Sequence, residues 1–276
     1  VLSVGDFTFQ EKCKKRIQEL KRKGTAILLV SHSVEQVRKI CSRAMWLEKG
    51  IVQMDGPCQA VTEAYVRREE DRAAGEEVTE ATFDIVVPLY RTPPAYLDDM
   101  IRSVQAQTYD KWRLYISDGS GEGFSLEETL EAYASQDERI HIIHNDCRLR
   151  APDNINRALK RAGGDYVVFL GHDDTLSPET LEECVKVIRS CPEAQFIYTD
   201  ADKISEDGRE YCQPCRKQGF NLDLLRSYNY IGRLSVVRKD LRESVGYMDP
   251  EYDGAHDYDY TIRCVEQTSY IVHIPK

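Results

Sequence analysis

The chain has 276 residues, of which 41% are hydrophobic and 30% charged, the usual balance of a soluble globular protein of about two domains. Its 37 Lys and Arg against 47 Asp and Glu give a net charge of −10, which excludes broad nucleic-acid binding because that needs a basic face. No run approaches the roughly eighteen apolar residues of a membrane span. The opening VLSVGDFTFQ lacks a signal peptide, so the nine cysteines are expected as reduced thiols in a cytoplasmic protein.

From Val1 to Val66 the pattern alternates. EKCKKRIQELKRK puts Cys13, Ile17 and Leu20 on one helical face, and Gly24 ends that helix. TAILLVS reads as a buried strand, and Val34, Val37 and Cys41 mark a second helix. AMWLEKGIVQMDG reads as two strands around Lys49-Gly50, and Pro57 opens a last helix through Val61, Ala64 and Tyr65. Residues 67–82 are charged, contain Gly75 and lack large apolar side chains, so they read as a linker with some helix.

From Phe83 onward, strands and helices alternate at least four times. FDIVVP is a strand and PAYLDDMIRSVQAQ an amphipathic helix with Leu97, Ile101 and Val104 on one face. WRLYISDGSGEG is a strand entering a Gly-rich loop, and SLEETLEAYA is a helix with Ser125 and Glu128 as a capping box. RIHIIH, DYVVFLGHDD and QFIYTD are further strands, separated by the helices NINRALKRAGG and SPETLEECVKVI, the second with Ser177 at its N-cap. Such alternation predicts an α/β fold with a mostly parallel sheet, whose ligands bind at the carboxyl ends of the strands. Asp118, Asp173, Asp174, Asp200 and Asp202 all fall at strand ends. Converging acids there can hold a divalent cation or do acid–base chemistry; a single loop aspartate can equally cap a turn.

FDIVVPLY, SDGS, VVFLGHDD, TDADKI, NYIG and GAHDYDYTIR together, in that order, resemble the family 2 glycosyltransferases of GT-A fold. The resemblance covers residues 83–276, the second domain, and implies a C-terminally incomplete transferase unit. It implies inverting, metal-dependent transfer from a nucleotide-diphosphate sugar to a glycan or lipid-linked glycan, in bacterial surface polysaccharide synthesis. Pro88 and Tyr90 would shape the nucleotide loop, and Asp118 would bond the base or ribose. Asp173 and Asp174 would bind Mg²⁺ or Mn²⁺ and diphosphate, and Asp257 would be the general base, with Asp259 the alternative in the same motif. The family often reads DHDD or DSDD where Gly171 stands, and often has Asn where Arg91 stands; Arg91 is either a diphosphate contact or a solvated charge. His172 and His256 flank the acids as ligands, acceptor contacts or inert loop residues, and His273 is expected in a C-terminal lid. A nucleotidyltransferase would need a Gly-rich loop after its first strand, which PLYRTPPAY does not provide.

Residues 1–66 resemble the C-terminal end of an ATPase of polysaccharide-exporting ABC transporters, through SVGDFTFQEKC, LLVSHS and RAMWLEKGIVQMDGP. Asp6 would lie in the D-loop and His32 would be the switch histidine. The sequence contains no GxxxxGK[ST], so this partial domain, starting after the Walker B acid, is expected not to hydrolyse ATP alone. The pairing implies a partner in an exporter's membrane subunit at the inner face of the plasma membrane. The alternative is a non-catalytic sugar-binding or regulatory appendage of the exporter ATPase. Cys212 and Cys215 in YCQPC have no second pair at zinc spacing and read as ordinary thiols.

Overall fold

A computed structural model describes residues 33–48, 51–75, 80–205 and 211–276, with scattered positions from 16 to 30. The chain divides into two compact units, Val1–Thr79 and Glu80–Lys276. Asp6 and His32 lie outside the described residues.

The first unit contains helix α1 (Val34–Ile40), strands β1 (Arg43–Glu48) and β2 (Ile51–Pro57), and helix α2 (Cys58–Gly75). Ser33 starts α1 by accepting a hydrogen bond from the Gln36 amide at 3.3 Å. β1 and β2 form an antiparallel hairpin, with Arg43 and Asp55 paired across it at 2.8 Å. Trp46 of β1 meets Tyr65 of α2 edge to face, their centroids 5.6 Å apart. The helix opened by Pro57 therefore continues nine residues into the charged 67–82 segment, as far as Gly75. The expected strand in TAILLVS is not found: residues 27–30 are irregular, and Leu28 is 94% exposed. An apolar run forms a strand only when a neighbour pairs with its backbone, and among the described residues none does.

The second unit is built on a seven-stranded sheet. Its strands are β3 (Phe83–Leu89), β4 (Trp112–Asp118), β5 (Ile140–Ile143), β6 (Tyr166–Phe169), β7 (Phe196–Thr199), β10 (Ser235–Arg238) and β11 (Ile271–Ile274). They lie in the order β11-β7-β10-β6-β3-β4-β5, and only β10 runs antiparallel to its neighbours. The helices are α3 (Pro94–Gln105), α4 (Glu127–Gln136), α5 (Ala151–Leu159), α6 (Thr180–Ser190), α7 (Leu222–Ser227), α8 (Lys239–Val245) and α9 (His256–Gln267). Strands β8 (Ala201–Ile204) and β9 (Tyr211–Cys215) form a separate exposed hairpin.

Strand periodicity sorts the core into faces. Phe83, Ile85, Val87 and Leu89 of β3 share one core with Leu97, Met100, Ile101 and Val104 of α3, while Val86 faces Ala158 and Leu159 of α5. Burial on both sides explains why β3 reads as a continuous apolar run. Each fully buried large side chain contributes about 1.5–3 kcal/mol. A third cluster joins Phe196, Tyr198 and Val237 to Leu225, Leu241 and Tyr260 under α7 to α9.

Asp84 of β3 is fully buried and paired. It accepts hydrogen bonds from the amides of Gly163 and Gly164 at 2.6 and 2.7 Å and from Arg113 Nε at 2.7 Å. A Cβ on Gly164 would press on the Asp84 carboxylate at 3.0 Å, so that glycine admits the anion as well as following a helix.

Two helix starts differ from the sequence reading. α4 begins after Leu126, and Ser125 accepts from the Glu127 amide at 3.2 Å instead of capping the helix. α6 begins at Thr180, because residues 177–180 first close a tight turn from the Thr180 amide to the Ser177 carbonyl at 3.0 Å. His273 is not in a lid. It lies in β11, stacked on Tyr198 at 4.8 Å and bonded to Asp200 at 2.7 Å.

Candidate active site

Three loops follow parallel strands at one end of the sheet. After β3, Tyr90 is partly exposed and Arg91 adopts φ 47°, a left-handed conformation that asparagine tolerates better than arginine. The Arg91 amide donates to Ser120 Oγ at 2.8 Å, and Ser120 donates from both its amide (2.9 Å) and its hydroxyl (2.5 Å) to Asp118 Oδ1. The loops after β3 and β4 are tied together by this chain of bonds. Gly119 lets Asn154 of α5 approach and donate to the Leu89 carbonyl at 2.8 Å, since a Cβ there would overlap the Asn154 amide at 2.8 Å.

The loop after β6 carries Gly171, His172, Asp173 and Asp174 in a tight turn. The Asp174 amide donates to the Gly171 carbonyl at 3.2 Å, and the Gly171 amide donates to Asp174 Oδ2 at 3.2 Å. Arg233 comes from the loop before β10 and pairs through Nη1 with Asp174 Oδ2, and at 3.4 Å with Asp173 Oδ1. The Arg233 carbonyl in turn accepts from Lys217 Nζ; burial lowers the Lys217 ammonium to about 8.

These loops border a cavity of about 570 Å³, within the usual range for a small-molecule site. Pro88, Tyr90, Asp173 and Asp257 all line it. Asp118 and Asp174 are not on the lining; Asp118 is engaged by Ser120, and Asp174 stands behind Asp173 against Arg233.

Asp257 is exposed in the first turn of α9, where its Oδ1 accepts from the Tyr258 amide at 2.8 Å. Asp259 is bound by Arg263 and does not line the cavity. His172 and His256 both line it, and their buried Nδ1 atoms have no hydrogen-bond partner among the described residues. Asp200 is bonded to His273, away from the lining, and Asp202 lies in exposed β8. Cys212 and Cys215 are free, exposed thiols.

Several site residues were not singled out by sequence. Arg148 lies over the Tyr90 ring at 5.1 Å, and Asn154 and Arg233 also line the cavity. Arg148 and Asn154 reach the β3 end from 58 and 65 residues away, so a local pattern carries no mark of them.

The acids that one loop brings together, and that could serve a divalent cation as donors, are Asp173 and Asp174. Among the described residues no three His, Cys, Asp or Glu side chains form a complete protein cage. A pair is nevertheless what Mg²⁺ or Mn²⁺ uses when substrate phosphates complete its shell. The Arg233 guanidinium lies against both carboxylates.

A family model described as glycosyl transferase family 2 matches residues 84–246. The chain belongs to this family. An uncharacterized protein, y4gI, of Sinorhizobium fredii is 39% identical over 194 residues, covering 70% of this chain and 21% of its own length. The O-antigen biosynthesis protein RfbC of Myxococcus xanthus is 32% identical over 190 residues, covering 69% of this chain and 15% of its own. The chain thus spans about a fifth or less of these two relatives. The O-antigen export system ATP-binding protein RfbB of Klebsiella pneumoniae is 45% identical over 65 residues, 24% of this chain and 26% of that protein.

Two solved structures show that this family 2 unit has the GT-A fold. S. aureus TarS residues 1–349 in complex with UDP-GlcNAc aligns with TM-score 0.57 at 19% identity, over 71% of this chain and 56% of that one. The Pyrobaculum calidifontis mannosyltransferase PcManGT in complex with GDP-Man and Mn²⁺ aligns with TM-score 0.54 at 16% identity, over 78% and 62%. Among the described residues no helix is long and apolar enough to cross a membrane.

Proposed function

We propose that residues 83–276 transfer a sugar, with inversion, from a nucleotide-diphosphate sugar to a glycan or lipid-linked glycan in surface polysaccharide synthesis. The observation that carries this reading is the single cavity into which Pro88, Tyr90, Asp173 and Asp257 converge from three elements of a family 2 fold. The UDP-GlcNAc and GDP-Man complexes of the fold neighbours and the O-antigen relative support it.

Tyr90 and Pro88 border the nucleotide, and Asp118, whose Oδ1 holds Ser120, is assigned the hydrogen bond to the donor's base or ribose. Asp173 and Asp174 would hold Mg²⁺ or Mn²⁺, which when bound would stabilise negative charge on the departing diphosphate. Asp257, on α9 rather than on the β6 loop, takes the acceptor's hydroxyl proton. The acceptor oxygen bonds the anomeric carbon, and the bond to the diphosphate oxygen breaks with its electron pair leaving on the diphosphate. Attack from the face opposite the diphosphate requires a base that is not one of the metal-binding acids.

Residues 1–66 are proposed as part of an exporter ATPase, joined through 67–82, with Asp6 and His32 in the D-loop and switch roles and an exporter membrane subunit as partner. The similarity to the Klebsiella ATP-binding protein supports that reading.

A thermal-shift panel of nucleoside diphosphates, with and without Mn²⁺, tests the donor assignment. Stabilisation by one nucleotide that is enhanced by Mn²⁺ and lost in Asp173→Ala is expected. No shift with any of them in either condition would contradict it.

A further inference from the structure

Arg233 has a place made for it. Its Nη1 lies against both Asp173 and Asp174, in the space that a side chain on residue 171 would fill. An ideal Cβ on Gly171 would overlap Arg233 Nη1 and Asp174 Oδ2 and would stand 3.1 Å from the guanidinium carbon. The missing side chain at Gly171, the turn that aims Asp174, and the reach of Arg233 from the loop before β10 form one arrangement. Arginine stays protonated at any working pH, so these two carboxylates have a permanent positive partner within the protein.

A divalent cation bound to the same oxygens would stand within a few ångströms of that guanidinium. Like charges a few ångströms apart repel strongly at the effective dielectric of a protein surface, the more so when one of them is divalent. The ion and the guanidinium therefore cannot both hold the acids closely. A donor diphosphate offers the displaced guanidinium another anion, and the planar fork of arginine suits phosphate oxygens.

We propose that Arg233 is a built-in counter-ion that competes with the divalent cation for Asp173 and Asp174 and transfers to the donor diphosphate when the cation enters. This rests on the reading of Asp173 and Asp174 as the metal pair. Its consequence is coupling: the cation binds weakly to the free protein and more tightly with the nucleotide, which in turn binds more tightly with the cation. The protein would then not load metal before donor.

Calorimetric titration of Mn²⁺ into the full chain tests this, without and with a saturating nucleoside diphosphate, for wild type, Arg233→Gln and Asp173→Ala. Arg233→Met is a second variant should the first be poorly folded by circular dichroism; the side chain is 57% exposed, so neither change removes a core contact. Wild type is expected to bind Mn²⁺ at least tenfold more tightly with the nucleotide. Arg233→Gln is expected to bind Mn²⁺ alone at least tenfold more tightly than wild type, so that the enhancement by the nucleotide is smaller by about that factor and reduced to what the phosphate oxygens themselves supply to the ion. Equal or weaker Mn²⁺ binding by both Arg233 variants, with binding still abolished in Asp173→Ala, overturns the counter-ion and leaves the metal pair standing. Mn²⁺ binding unaffected by Asp173→Ala overturns both.

Discussion

Arg263 holds Asp259 one helical turn away on α9, with Nε 2.9 Å and Nη2 2.8 Å from Oδ2, and also donates to the Val245 and Tyr247 carbonyls. Arg263, held by Asp259, ties α9 to the end of α8 through the Val245 and Tyr247 carbonyls. The two acids of HDYD thus divide their work, Asp259 in the scaffold and Asp257 at the cavity. Asp259→Ala is expected to cost about 1 kcal/mol of stability, because the pair is largely but not wholly buried. For a unit of this size that is a fall of roughly 2–4 °C in Tm. Nucleotide affinity per folded molecule should stay at the wild-type level, and calorimetry checks it.

Arg91 stands in left-handed backbone with φ 47°. A side chain with a Cβ is disfavoured there by about 1–2 kcal/mol, and asparagine less so than most. Arg91→Asn and Arg91→Gly are expected to raise the denaturation midpoint, glycine by no more than about 1 kcal/mol because it also loosens the unfolded chain. The same variants decide what the side chain does. Unchanged diphosphate affinity makes Arg91 a solvated charge, and a drop of tenfold makes it a donor contact.

Asp240 is held by two bonds from Arg238 at 2.7 and 2.8 Å, by Gln195 and by the Leu241 amide, and the Arg238 pairing foremost brings its carboxyl down to about 2. The unfolded chain therefore takes up the proton first as pH falls. The contribution of Asp240 is complete above the ordinary aspartate range and is lost as pH drops from about 4 to about 2. Urea midpoints measured across that interval should fall less steeply for Asp240→Asn than for wild type. Parallel curves would remove Asp240 from the acid response.

The strands of the second unit were legible where burial on both faces leaves an apolar run, as in β3, β4 and β6. The positions of Pro88, Asp173 and Asp257 followed from ordered motifs. β10 and β11 were harder, since four-residue strands such as SVVR carry no period of their own and depend on their neighbours. TAILLV shows the converse, an apolar pattern without a pairing partner among the described residues. Arg233 was invisible because its partners lie 59 and 60 residues away, although Gly171, in a position where the family often has an acid, was the outward trace of it.

Asp257→Asn tests the central claim most directly. The change keeps the side chain's size and its ability to accept from the Tyr258 amide, so α9 and the cavity should be preserved. It removes the negative charge and with it the capacity to take a proton. Sugar transfer to a glycan acceptor should fall on the order of a hundredfold or more, while nucleotide affinity in Mn²⁺ stays near wild type. Transfer at close to the wild-type rate in Asp257→Asn would contradict the account.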